Sequence, residues 1–270
     1  MILKFLTLII TMIISTSISS ANKLPEPKTW ETQVKQLILD EEVLLDGTDL
    51  MLLNTPYRAL DAAMVPIEVG LKFKQTKEKF AKSMTIVVDE NPSPVVGKFS
   101  FSQKIGNASL STRIRVDRYT YVRAILEMND GKKYMISNYV KAAGGCSAPS
   151  LADMDSVIAR LGKMKLKFLE TGPKGNLNKA QLIISHPNYS GLQFNQLTRA
   201  EIPAHFVNVI EVFQDNQLIF RANPDISLSE DPSVTFHYLN SGGPLNVRIT
   251  DSEGMQFAGD YPLDELLTSK

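Results

Sequence analysis

Short apolar runs that alternate with polar residues follow one another along most of the chain. The first half holds about seven of them, and turn residues such as Asn91-Pro92 and Asn129-Asp130-Gly131 separate them. A period of two is typical of strands that bury one face. No long helical pattern interrupts the runs, so residues 50–141 are predicted to form a β-sandwich. The runs are Leu50–Leu53, Met64–Val69, Ser83–Val88, Val95–Phe101, Leu110–Val116, Tyr119–Met128 and Lys133–Tyr139.

The same alternation returns in the second half, where Met164, Leu166 and Phe168 are the first apolar positions. About seven strands follow, separated by turns such as Asp215-Asn216 and Ser241-Gly242-Gly243. Residues 163–270 are therefore predicted to form a second sandwich. The fold class expected for the whole chain is all-β.

Two short helices are predicted beside the strands. Apolar residues recur at helical spacing between Thr29 and Leu39, within the segment 22–49 that leads into the first sandwich. Ser150 and Asp153 fit a capping box, and apolar residues follow them at helical spacing. A short linker helix is therefore expected within residues 142–162.

The first 21 residues have the organisation of a cleavable secretory signal. A cationic start ends at Lys4, an apolar run extends from Phe5 to Ile14, and the small residues Ser19-Ser20-Ala21 follow. We expect cleavage after Ala21 and export, in a bacterium to the periplasm, with no membrane attachment of the mature chain.

Charge and cysteine content exclude several classes of function. The 270 residues include 29 basic and 29 acidic side chains, so there is no positive excess to bind a nucleic-acid backbone. One cysteine rules out an internal disulfide. One cysteine and three histidines also rule out the common structural zinc arrangements. We therefore predict no nucleic-acid partner, no metal and no cofactor.

The single cysteine lies in the segment that separates the two halves. Cys146 follows Gly144 and Gly145, and eight of the nine residues from Lys141 to Pro149 are small or proline. We expect an exposed, mobile loop in which Gly144 and Gly145 act as a hinge. The positive end of the predicted linker helix should favour the thiolate. A mobile thiol suits a covalent carrier better than a nucleophilic catalyst, which needs fixed geometry.

The histidines and two neighbouring arginines are expected to have structural rather than catalytic roles. The three histidines all lie in the second half, and a surface or hydrogen-bonded structural role is expected for each: His186, His205 and His237. Arg113 and Arg115 alternate with apolar residues and are expected on one exposed strand face. We predict no catalytic residues and no enzymatic activity.

Several of these segments together resemble a known family. Leu53–Val69, Asn91-Pro92-Ser93-Pro94, Ser111–Val116 and Gly144-Gly145-Cys146 are similar to SoxY, a subunit of the periplasmic sulfur-oxidation carrier. Motifs of the second half are similar to its partner SoxZ: Ile184-Ser185-His186-Pro187, Ile202-Pro203-Ala204-His205-Phe206 and Ser241-Gly242-Gly243-Pro244-Leu245. The fused order most resembles SoxYZ-like carrier proteins associated with quinoprotein dehydrogenases.

The resemblance implies two packed immunoglobulin-like sandwiches and a swinging-arm cysteine that bears sulfur intermediates, as in thiosulfate oxidation. That role falls on Cys146. Two departures are visible, because Ser147-Ala148-Pro149 replaces a glycine pair and the cysteine is internal. A loop tethered at both ends, from Ala142 to Ala148, projects roughly 10 Å, which suits an open cleft better than a deep channel.

Two functions remain open at this stage. The first is a carrier that presents a covalent, sulfur-containing adduct to periplasmic redox enzymes, of the sulfur-oxidation type or a quinoprotein dehydrogenase. The second is a non-covalent accessory or binding subunit of a periplasmic quinoprotein dehydrogenase system, in which the thiol is incidental. The sequence also leaves open whether the chain forms homo-oligomers.

Overall fold

The computed structural model describes residues 24–39, 42–149, 154–196 and 198–263. The predicted signal segment 1–21 and the predicted capping residues Ser150 and Asp153 lie outside these ranges. Among the described residues, no helix is both long and apolar enough to cross a membrane.

The predicted N-terminal helix is confirmed. It comprises a π-helical segment, Trp30–Val34, that continues directly into the α-helical turn Lys35–Leu39, and we call the two together α1. Its buried residues Trp30, Val34 and Leu39 pack against Val87 and Ile125 of the first half. This contact explains why the apolar residues recur at helical spacing.

Eight strands form the first half of the chain. They are β1 Leu44–Asp46, β2 Met51–Asn54, β3 Val65–Leu71, β4 Ala81–Val88, β5 Val95–Phe101, β6 Leu110–Ile114, β7 Thr120–Met128 and β8 Lys133–Val140. A single 3₁₀ turn, Gln103–Ile105, precedes β6. The predicted linker helix is also present, as α2, Met154–Arg160.

Nine further strands form the second half. They are β9 Met164–Glu170, β10 Leu177–Ile184, β11 Gln193–Phe194, β12 Glu201–Ile202, β13 Val207–Gln214, β14 Gln217–Pro224, β15 Ser233–Leu239, β16 Leu245–Asp251 and β17 Gln256–Tyr261. The strands β11 and β12 pair only with each other.

Two large sheets run through both halves of the molecule. The larger has the order β1-β8-β7-β4-β5-β14-β13-β16-β17, and the smaller has the order β2-β3-β6-β15-β10-β9. The halves meet where β5 pairs with β14 and where β6 pairs with β15, both antiparallel. Backbone hydrogen bonds therefore join the two halves within one chain.

One hydrophobic core lies between these sheets. Alternate residues of β3 point into it, namely Val65, Ile67 and Val69, as the period of two predicts. Phe220 and Phe236, from different sheets, meet edge to face with ring centroids 5.0 Å apart. The core contains residues from both halves, and the predicted all-β sandwich fold is confirmed.

A buried ion pair fixes α1 to the first half. Arg123 donates from Nε to Asp89 Oδ1 at 2.8 Å and from Nη2 to Asp89 Oδ2 at 2.7 Å. Its guanidinium also lies over the Trp30 ring, 4.2 Å from the centroid. The charge of Arg123 is thus matched by a carboxylate in bidentate geometry.

Candidate functional site

The cysteine loop leaves β8 and folds back onto the first half. The Gly144 amide donates to the Asp117 carbonyl at 2.8 Å, and the Gly145 amide donates to the Val116 carbonyl at 2.9 Å. Both acceptors lie just beyond the end of β6. Two consecutive backbone hydrogen bonds therefore attach the loop to the segment that follows β6.

The second half holds the same loop from the other side. The Ser190 hydroxyl donates to the Cys146 carbonyl, and Gln193 Nε2 donates to the Ala148 carbonyl at 2.7 Å. Ser190 and Gln193 are themselves buried. The loop thus lies in the junction between the halves.

The two glycines before the cysteine have different surroundings. A Cβ on Gly145 would lie 2.1 Å from the Ala62 carbonyl oxygen and 2.7 Å from the Val116 carbonyl oxygen, which is impossible without movement of the backbone. Gly144 has a φ of +82°, and a Cβ there would meet open space. Gly145 is required for close packing and Gly144 for a left-handed turn.

The expectation of an exposed thiol is wrong. The Cys146 side chain is 0% exposed. Burial raises the pKa of the Cys146 thiol to about 12, and the charge of Asp117 adds to the shift while Arg115 opposes it. The expected preference for thiolate is therefore also wrong in this conformation. The small residues allow the loop to pack closely, so it does not stand out from the surface.

Arg115, which was expected on an exposed face, is also buried, with 1% of its surface accessible. Its Nη1 donates to the backbone carbonyls of Leu228 at 2.6 Å and Ile226 at 3.3 Å. Its Nε has no hydrogen-bond partner among the described residues. No described carboxylate lies within 4.0 Å of its guanidinium, the limit for an ion pair. Half-buried Arg113 donates to the carbonyl of Asp231.

Arg115 and Cys146 interact electrostatically. The positive charge of Arg115 acts to lower the pKa of the thiol, while burial lowers the pKa of Arg115 itself. The carbonyls that accept from Arg115 and the negative charge of Glu230 compensate part of its buried charge. Burial and Asp117 outweigh Arg115, so the site on balance keeps the Cys146 thiol neutral.

A second polar cluster lies in the other half. His205 Nε2 is 2.8 Å from Asp251 Oδ2, and His186 Nε2 is 3.6 Å from the same oxygen. The ring centroids of His186 and His205 are 4.6 Å apart. His205 is within hydrogen-bond distance of Asp251, whereas His186 Nε2 has no hydrogen-bond partner among the described residues. The structural role expected for the histidines stays a prediction. The sequence did not predict their convergence, because the three residues come from distant segments.

Three donor atoms within 4.8 Å of one another could in principle hold a metal ion. The hydrogen bond that His186 accepts disfavours metal binding. Its Nδ1 accepts the Asn188 amide at 3.0 Å, so Nε2, which faces Asp251, carries the proton and has no free lone pair. Burial lowers the pKa of His186 to about 4, and the charge of His205 adds to that shift. In this cluster His186 is neutral, and His205 is within hydrogen-bond distance of Asp251.

Asn188 connects the histidine cluster to the cysteine site. Its Nδ2 donates to the Leu228 carbonyl at 2.8 Å, the same oxygen that accepts from Arg115. The neighbouring Ser190 holds the cysteine loop. Residues 186–190 therefore contribute contacts to both clusters.

Comparison with family models shows which protein family the chain belongs to. Residues 35–146 match the family "Sulfur oxidation protein SoxY", and residues 166–262 match the family "Sulphur oxidation protein SoxZ". The chain is a SoxYZ-like fusion. These two domains indicate a sulfur-oxidation carrier protein. Cys146 is the last residue of the SoxY match, and the histidine cluster lies in the SoxZ domain.

Solved structures are only distantly similar. The sulfur carrier protein SoxY from Chlorobium limicola f thiosulfatophilum gives a TM-score of 0.34 at 18% identity, over 43% of this chain and 94% of that one. A superoxide reductase (neelaredoxin) from Ignicoccus hospitalis gives 0.31 at 9% identity, over 34% and 78%. Likenesses at this level carry no functional argument. The comparison with curated proteins found no match.

Proposed function

We propose that this SoxYZ-like protein is a non-catalytic periplasmic carrier that holds a sulfur-containing adduct covalently on Cys146. The observation that supports the proposal is the place of the cysteine. It is the single thiol of the chain, it ends the SoxY domain, and it lies in a loop that both halves contact. The adduct is in disulfide linkage to the Cys146 sulfur, so a mild reductant releases it.

The buried thiol fits the unloaded state of such a carrier. Thiolate is the reactive form of cysteine, and a pKa of about 12 leaves almost none of it near neutral pH. The closed loop therefore protects the free thiol from adventitious oxidants in an oxidising compartment. Loading requires the loop to open, which breaks the hydrogen bonds of Gly144, Gly145, Cys146 and Ala148.

Gly144 is the hinge for this opening. Its positive φ and the open space around it allow the backbone to rotate without collision. Gly145, which is packed against Ala62, holds the closed state and gains freedom once the loop lifts. The loop is tethered at both ends, so it presents the sulfur to partners with an open cleft. Such partners are periplasmic redox enzymes of the sulfur-oxidation type or a quinoprotein dehydrogenase.

The decisive experiment is the intact mass of the protein from its native periplasm, before and after a mild reductant, with the adduct mapped by peptide. Mass that is labile to reductant and located on Cys146, in sulfur-sized steps, is the expected result. An unmodified thiol while the pathway is running would contradict the proposal. The same measurement on a Cys146→Ser variant is the control, and no labile mass is expected there.

The burial of the thiol favours one other candidate. If the loop never opens, the protein acts as a non-covalent accessory subunit of a quinoprotein dehydrogenase system. Replacement of Cys146 by serine separates the two functions, because serine keeps the size of the side chain and removes its sulfur chemistry. Loss of pathway activity supports the carrier, and full activity with a retained partner supports the accessory subunit.

A further inference from the structure

We propose that a cavity at the end of the sandwich opposite the cysteine loop is a binding site for a small organic anion with an apolar body. The cavity has a volume of about 690 Å³. Gly106 and Asn107 line it just before β6 begins, whereas the cysteine loop is attached just beyond the end of β6. The cavity is therefore separate from Cys146, and the inference does not rest on the proposed carrier function.

The walls of the cavity are largely apolar and come from both halves of the chain. Phe73 and Phe80 belong to the loop between β3 and β4. Leu177 and Leu239 pair with each other at the ends of β10 and β15, and they are 43% and 38% exposed. Small-molecule sites are concave, mostly apolar and roughly 300–1,000 Å³ in volume. The cavity thus suits a ligand with an apolar body.

The charged side chains that line the cavity are all positive. They are Lys74, Lys77 and Lys104, and no described lining residue carries a carboxylate. None of the three forms an ion pair with a described carboxylate. The chain as a whole has no net charge, yet residues 72–79 contain four lysines and one glutamate. Positive charge is therefore concentrated at this cavity, where it favours an anionic ligand.

The structure holds the walls of the cavity in place. On one side, Gln75 Oε1 accepts the Ala81 amide at 2.8 Å, and Asn129 Oδ1 accepts the Phe80 amide at 3.0 Å. On the other side, Gly106 has a φ of +62°, and a Cβ there would lie 2.7 Å from the nearer leucine atom of the wall. The cavity is thus formed before a ligand binds, which lowers the entropic cost of binding.

The test compares two dyes on the purified full chain. Anilinonaphthalenesulfonate has an apolar body and a negative charge, and phenylnaphthylamine has nearly the same body without the charge. Both fluoresce more strongly in an apolar site, so titration gives a dissociation constant for each. We expect saturable binding, tighter for the sulfonate, and salt should weaken only the sulfonate. Absence of saturable binding, or equal affinity for the two dyes, overturns the inference.

Substitution of the lining lysines tests where the charge acts. Combined Lys74→Gln, Lys77→Gln and Lys104→Gln should weaken binding of the sulfonate dye at least about fivefold and leave the neutral dye unaffected. The matched control replaces the three exposed lysines of residues 163–167 with glutamine, which removes the same charge from another strand. An unchanged affinity in the first variant overturns the inference, and so does an equal loss in the control.

Substitution of the apolar wall tests where the dye body lies. Leu177→Ser removes apolar surface at a position that is already half exposed, so the fold should tolerate it. Both dyes should bind more weakly, by a similar factor of at least about threefold, because both lose the same apolar contact. Unchanged binding of both dyes would place them elsewhere and overturn the inference.

Competition with the sulfonate dye decides what kind of anion the cavity takes. Dodecanoate, kept below its micelle concentration, should displace the dye from the unaltered chain. A peptide of eight glutamates and vesicles of phosphatidylglycerol should not, because neither brings an apolar body into the cavity together with its charge. Displacement by the peptide or by the vesicles that equals displacement by dodecanoate overturns the inference, since the cavity would then be a docking surface for an acidic chain or a membrane.

Discussion

Two buried arginines in the SoxY domain differ in how their charges are compensated. Arg123 is held by both oxygens of Asp89 and covered by Trp30, and the two charged side chains are 4% and 2% exposed. Arg115 is equally buried but donates to backbone carbonyls, and its charge acts on the Cys146 thiol. Arg123 is thus neutralised by a carboxylate that it contacts directly, whereas Arg115 depends on carbonyl dipoles and on the charge of Glu230, with which it forms no ion pair.

The largest effect is expected when Arg123 is made to resemble Arg115. Asp89→Asn keeps the shape of the side chain but leaves the guanidinium without its counter-charge. We expect a loss of about 3–5 kcal/mol in the free energy of unfolding, measured by urea denaturation. Glu211→Gln, which breaks an exposed pair with Arg221, is the control and should cost less than about 1 kcal/mol. Equal losses of unfolding free energy in the two variants would contradict the expected difference between a buried and an exposed ion pair.

The pH dependence of alkylation tests whether the Cys146 thiol beside this arginine is neutral at ordinary pH. Burial disfavours the thiolate, so the pKa of Cys146 rises from about 9 to about 12 in the closed state. The stability that this group contributes is present below pH 9 and is lost as the pH rises toward 12. The rate of reaction with iodoacetamide should therefore keep increasing above pH 9 in the native chain and level off near pH 9 in urea. The same profile in both conditions would contradict the buried thiol.

The next comparison separates the two glycines that hold the thiol beside Arg115. Gly145→Ala places a Cβ against the Ala62 carbonyl, so the loop must open, and alkylation of Cys146 near neutral pH should accelerate at least about tenfold. Gly144→Ala meets no neighbour and costs only its left-handed backbone, about 1 kcal/mol. If both variants react alike, packing at Gly145 does not hold the loop closed.

Strand periodicity predicted the class of the fold because it depends on local alternation alone. The pairing of β5 with β14 and of β6 with β15 was not predictable, since partners in a sheet are chosen by distant residues. Local alternation also explains the error at Arg115. The strand β6 ends at Ile114, so the rule that assigned Arg115 to an exposed face no longer applies one residue later.

The small residues of the cysteine loop have two physical consequences. Small residues prevent a segment from building a core of its own, which led to the expectation of mobility. They also let a backbone approach another backbone closely, as Gly145 approaches Ala62. Which consequence prevails depends on acceptors that the rest of the fold supplies, here the carbonyls of Val116 and Asp117. Sequence alone located Cys146 as the candidate site but not its surroundings.

The smallest effect is expected when the charge of Arg115 is removed from the unloaded protein. Leu228 still receives the Asn188 side chain, so Arg115→Gln leaves this carbonyl paired, and the variant also loses a buried charge that forms no ion pair among the described residues. The free energy of unfolding should change by less than about 1 kcal/mol, far less than in Asp89→Asn. A large loss in the unloaded protein would make Arg115 a structural residue like Arg123, and the comparison between them would fail.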